Sequence, residues 1–229
     1  MRVAQAVRLT LSELHVPYPM TRLRFSARTA AVVTVVTALF PLAASAQSTA
    51  APTRVRATIN AVHSTAVDVT DASGNKATVT LPVDLNVTQV APIEPSAIRA
   101  GSYIGTAAVK QPDGTLRALE VHVFPEAMRG TGDGHRPYDM GPNSSMTNGT
   151  VEQAGAVTGA QGRTLSVKYK DGEQHIVVPP QVPIVTFEPG RRDDLKAGAH
   201  VVMFVRADAQ GTLVAQRVLV GKDGMVPPM

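Results

Sequence analysis

His122, Glu126, Asp133, His135 and Asp139 crowd into one short stretch of a 229-residue chain. Imidazole and carboxylate side chains together suit zinc, manganese or nickel, with geometry deciding among them. A divalent metal is therefore the one cofactor that the sequence raises. The spacing matches no established ligand motif, and each residue also has a plain structural reading. Alternation places His122 on a strand face. Glu126 sits where it can cap a turn or pair with Arg129, and His135-Arg136-Pro137-Tyr138 can staple its segment to a barrel by stacking and hydrogen bonding.

Other chemistry finds less support. Met128, Met140, Met146, Met203, Met225 and Met229 offer thioethers, but they are scattered, as gap-filling methionines are. The chain has no cysteine and no G-x-S-x-G elbow. Ser64 adjoins His63, yet neighbours on a strand point to opposite faces. Asp193-Asp194 falls in a short helix, where acidic first-turn residues complement the helix dipole. Gly130-Thr131-Gly132-Asp133-Gly134 lacks the Lys-Ser/Thr that would make it a phosphate loop. No catalysis is expected. For partner recognition, the candidates are Arg136 and Tyr138 and the extended tail residues Val226, Pro227 and Pro228, which can pack on a barrel or enter a partner.

What must position these residues is a duplicated scaffold. Leu81 to Val123 aligns with Val178 to Val220 at a constant offset of 97, without a gap. RAGSYIGTAAV answers KAGAHVVMFVR, and DGTLRALEVHV answers QGTLVAQRVLV. Each copy carries β-branched runs with a period of two, the mark of half-buried strands. Asp71 to Asn75 reads as a hairpin turn, matched by Asp171-Gly172. Short helical turns are expected at Glu94 to Arg99 and Arg192 to Lys196, closed by Gly101 and Gly198.

Three strands, a short helix and a closing hairpin is the order of the OB-fold. The expectation is therefore an all-β protein of two tandem OB-like five-stranded barrels, each with a short helix between its third and fourth strands. An SH3-like barrel or open meander is the alternative. The boundaries expected are residues 54–127 for the first barrel, 128–148 for a linker loop, 149–222 for the second barrel and 223–229 for a tail.

Arg22, Arg24 and Arg28 precede an apolar run from Thr29 to Leu42 that ends in Ala44-Ser45-Ala46. This is the pattern of a cleaved export signal, too short for a membrane span of ~20 residues. Residues 1–46 are thus read as an extension and signal, with translation starting at Met1 or Met20, and the mature chain is placed in the periplasm as a soluble protein without disulfides. The chain's 22 basic and 18 acidic residues become 17 and 17 once the five arginines and one glutamate of residues 1–46 are subtracted. The basic surface of a nucleic-acid binder is missing.

The runs EVHVFPEAMRGTGDGHRPYD, SSMTNGTV, VVPPQVPIVTFEPG and RVLVGKDGMVPPM resemble a family of exported proteobacterial proteins of unknown function. Some of its members carry the label of metal ABC transporter components. The resemblance covers nearly the whole mature chain and implies no catalytic residue. The leading expectation is a periplasmic protein that binds a protein, an envelope component or a small ligand. A metal-binding accessory protein built on the His/Asp/Glu stretch is second, and an enzyme third.

Overall fold

A computed structural model describes residues 51–155 and 162–229. The expected leader and both start sites lie outside the described residues. The described residues belong to one compact unit. The protein is all-β: its described helical residues are confined to three-residue 3-10 turns. The first copy supplies β1 (Thr53–Val62), β2 (Ala66–Asp71), β3 (Lys76–Thr80), β4 (Asn86–Pro92), β5 (Tyr103–Lys110) and β6 (Leu116–Val123). A short strand β7 (Gly134–Pro137) follows. The second copy supplies β8 (Ser144–Ala154), β9 (Arg163–Tyr169), β10 (Gly172–Val178), β11 (Ile184–Pro189), β12 (His200–Ala207) and β13 (Leu213–Gly221).

Turn chemistry sets the hairpins as the sequence implies. The Asp71 carboxylate accepts from the amides of Ser73 and Asn75, and Asp208 does the same for Gln210 and Thr212. Gly101 and Gly198, which close the two helical turns, both have φ of 84°, a conformation that glycine adopts without steric cost.

Two closed rings of five strands result. One ring runs β1-β2-β3-β13-β12 and closes by the parallel pairs Leu213↔Val79 and Val214↔Thr80. The other runs β8-β9-β10-β6-β5 and closes by Ile176↔Leu116 and Val177↔Arg117. Closure removes the unpaired edges that a short open sheet would present. Each ring has its own apolar interior. Ile59, Val67, Val69, Val79 and Met203 fill the first, and Ile104, Val121, Leu165, Val167 and Ile176 the second. Burying such an aliphatic side chain contributes about 1.5–3 kcal/mol.

Each ring takes three strands from one copy and the closing hairpin from the other. The sequence leads one to expect each copy to close on its own hairpin, and β4 and β11 explain the difference. They are additional strands ahead of the helical turns, so the turns follow a fourth strand and not a third. β4 leaves the first ring alongside β13, in parallel, and pairs antiparallel with β11, which lies alongside β6. The chain then turns at Pro95–Ala97 and enters the other ring. Arg163 of β9 fixes that turn by donating to Pro95 O at 2.9 Å and Ile98 O at 2.8 Å. Arg192, in the second turn, donates to Pro82 O at 2.9 Å.

The β4–β11 register carries the symmetry of the duplication. Val90 faces Phe187, its own repeat equivalent at an offset of 97, and Gln89↔Glu188 exchanges with Ala91↔Thr186. A pseudo-twofold axis therefore passes through the Val90–Phe187 pair. Around it lies a third apolar cluster: Val90 of β4, Val185 and Phe187 of β11, Val202 and Leu219 of β12 and β13 in the first ring, and Met229 of the tail, with Phe124, just after β6, packed against it. The stretch expected to be a linker loop is also partly regular. A 3-10 turn at Glu126–Met128 leads into it, and it holds β7 and the first half of β8, which pairs with β5.

Candidate functional site

The five candidate metal ligands point to different neighbours. His122 is buried on β6, its Nε2 3.3 Å from Glu120 Oε1. Glu126 accepts two hydrogen bonds from Arg129, at 2.6 and 2.8 Å, and these hold its carboxyl below the usual range. Asp133 accepts from the Lys170 amide at 2.7 Å and from the Tyr103 hydroxyl at 3.3 Å. His135 stacks on Tyr169, with Nδ1 2.8 Å from Thr147 Oγ1, and burial lowers its pKa. Asp139 pairs with Arg54 and Arg56. Burial raises its pKa, but the Arg56 hydrogen bond and the two guanidinium charges outweigh that and leave it lowered. Among the described residues, no three His, Cys, Asp or Glu side chains converge as a metal site requires.

The partner candidates divide. Tyr138 is half-buried beneath Arg54, whose guanidinium lies 4.5 Å from the ring centre. Arg136 is exposed and donates to Gly132 O at 2.8 Å. Of the tail residues, Val226 is exposed, Pro228 is half-buried and Pro227 is buried. Met229 anchors the tail in the cluster between the rings, and its main-chain oxygen accepts from Arg56.

A cavity of about 190 Å³ lies where the two rings face each other. Two cross-strand rows that the pseudo-twofold relates border it, with Arg54, Phe204 and Arg217 lining it from one side and Met146, His122 and Asn148 from the other. On one ring the row is Arg54, Phe204 and Arg217, from β1, β12 and β13. The equivalent row on the other ring is Met146, Ala107 and Glu120, from β8, β5 and β6. Beside it run Asn148, Gly105 and His122. Both rows stand next to a bulge, Phe204/Val205 in one copy and Ala107/Ala108 in the other. Gly105 is required here: a Cβ would lie 2.7 Å from Asn148 Oδ1 and 3.0 Å from the Phe124 ring. Phe124 and Phe187 pack 5.2 Å apart, and His122 meets Phe187 edge-on at 5.6 Å.

The polar groups around this cavity are incompletely matched. Glu120 is fully buried, and neither carboxylate oxygen is in hydrogen-bonding geometry with any group, His122 included. His122 Nε2 and Asn148 Oδ1 are buried without a hydrogen bond, although the Asn148 amide donates to Thr131 O at 2.9 Å. Phe204 lies between two cations, with Arg217 4.2 Å and Arg54 5.6 Å from its ring centre. Burial, then the charge of Arg54, pushes the pKa of Arg217 down. Burial raises Tyr138 to about 12.

Of the residues expected to matter, His122, Arg136 and Tyr138 line this cavity. Arg54, Asn148, Phe204 and Arg217 line it too and were not singled out from sequence, nor was Glu120 behind them. One signal for them exists in the duplication. Positions 120 and 217 are repeat equivalents, and they carry opposite charges. Comparison with protein-family models, with curated proteins and with solved structures finds no match.

Proposed function

We propose that this is an exported binding protein, without catalytic activity, whose ligand occupies the cavity between the two rings. The observation that carries the reading is the pair of buried, unmatched polar atoms at the cavity wall, His122 Nε2 and Asn148 Oδ1. Buried polar groups are nearly always hydrogen-bonded, and a concave apolar site with a few convergent polar groups is how proteins hold small molecules. The lining agrees: Phe124, Phe187 and Phe204 supply the apolar body, and the polar atoms fix orientation. In this reading each ring is an OB-like barrel whose closing hairpin comes from the other copy. Action in the periplasm and kinship with the exported proteobacterial family belong to the same proposal. They rest on the Arg22 to Ala46 export pattern and on the shared sequence runs.

Native mass spectrometry of the protein purified from its own cell envelope tests this. A bound small molecule is expected, and it should be lost in Asn148→Leu while the fold is retained. A bare polypeptide mass, unchanged by incubation with envelope extract, would sink the proposal. The same spectrum reports whether the chain begins after Ala46.

A further inference from the structure

Arg217 has an unusual position for a cation. It is half-buried, and among the described residues its guanidinium makes no hydrogen bond and has no carboxylate partner. The guanidinium lies over the face of Phe204, 4.2 Å from the ring centre. Arg54, on the other side of that ring, shares Asp139 with Arg56. Arg136 adds a third guanidinium to the cavity wall. Among the described residues, Glu120 has His122 as its one ionic neighbour within 4 Å and pairs with none of these guanidinium groups. The cavity thus carries more positive charge than its own carboxylates match. Guanidinium groups are planar forks suited to carboxylate oxygens.

Volume narrows the chemistry further. A dry cavity of about 150 Å³ accepts benzene, so about 190 Å³ has room for one ring and a small head group. Phe124, Phe187 and Phe204 offer faces and edges to such a ring.

We infer that the cavity binds a small organic monoanion, a carboxylate on an apolar body about the size of one aromatic ring. Arg217 takes the carboxylate, and His122 Nε2 and Asn148 Oδ1 meet polar substituents of the ligand. The inference rests on the inter-ring binding proposal and supplies its ligand class.

The test uses benzoate, benzamide, benzylamine and inorganic phosphate as probes, followed through methyl-¹³C methionine resonances. Met146 and Met229 line the cavity, and Met203, in a ring interior, is the control. Benzoate should shift Met146 and Met229 but not Met203, and bind at least about tenfold more tightly than benzamide, as loss of one charge-assisted hydrogen bond implies. Arg217→Met should weaken benzoate by about tenfold or more, and Arg217→Lys by less. The benzamide comparison is made on the unaltered protein, so it stands even if a variant fails to fold. Equal binding of benzamide or benzylamine, preference for phosphate, or no response to any probe would overturn the monoanion inference. A co-purified ligand of another class in the native mass spectrum would then leave the binding proposal standing; a bare mass would remove both.

Discussion

Leu165→Ala should destabilise both rings together, although Leu165 touches only one of them. Leu165 is fully buried in the interior of the β8-β9-β10-β6-β5 ring. Truncation to alanine removes about three methylene equivalents, or about 2.4 kcal/mol at ~0.8 kcal/mol each. The cavity left behind brings the cost to about 3–4 kcal/mol, within the range found for buried leucines. For a domain of this size each kcal/mol lowers Tm by about 2–4 °C, so a drop of about 10 °C is expected. Far-UV circular dichroism reports the global transition, and two methyl resonances report the rings separately: Ile176 in the mutated ring and Met203 in the other. Because each ring is closed by a hairpin covalently continuous with the other copy, both methyl signals should melt together at the lowered temperature. If Met203 kept its original midpoint while Ile176 melted early, the rings would be independent and the reasoning wrong.

Two further outcomes follow from the buried groups. Glu120→Met should be neutral or stabilising by about 1 kcal/mol, because neither Glu120 carboxylate oxygen has a hydrogen bond to lose; urea midpoints measure this, and a large loss would count against it. Tyr103, by burial and then the charge of Asp133, and Tyr138, chiefly by burial, are both raised to about 12. An unfolded tyrosine ionises near pH 10, so their contribution is fully present below pH 10 and lost as pH rises to about 12. Urea midpoints across that window should fall, and less steeply in Tyr103→Phe; a flat profile would contradict the shifts.

Much of the scaffold was legible because turn chemistry and alternation are local. Asp71, Asp113 and Asp208 organise their hairpins through amides a few residues away, and Gly101 and Gly198 mark their turns in the sequence as they do in space. Which hairpin closes which ring was not legible, for a physical reason. The copies share the A-G and G-T-L patterns, so β5–β6 and β12–β13 present similar apolar faces to either set of three strands. The choice falls to β4 and β11, whose pairing across the pseudo-twofold is a contact nearly 100 residues apart in sequence. The candidate site suffered in the same way. His122, Glu126, Asp133, His135 and Asp139 are close in sequence, yet β6, the turn after it, β7 and the following loop carry them to different neighbours. Arg54 and Arg217 are far apart in the chain, and ring closure brings them to the same phenylalanine.

The exchange of hairpins can be read directly, because the chain contains no cysteine. Thr58 of β1 lies opposite His200 of β12, and Tyr103, the repeat equivalent of His200, lies opposite Thr150 of β8. Opposed antiparallel residues are about 4.5–5.5 Å apart between Cα atoms, within disulfide reach. A monomer carrying Thr58→Cys and His200→Cys should oxidise to an intramolecular disulfide, while one carrying Thr58→Cys and Tyr103→Cys should stay reduced. The reverse, a cross-link between positions 58 and 103 and none between 58 and 200, would mean that each copy closes on its own hairpin and that the inter-ring cavity is not built as described.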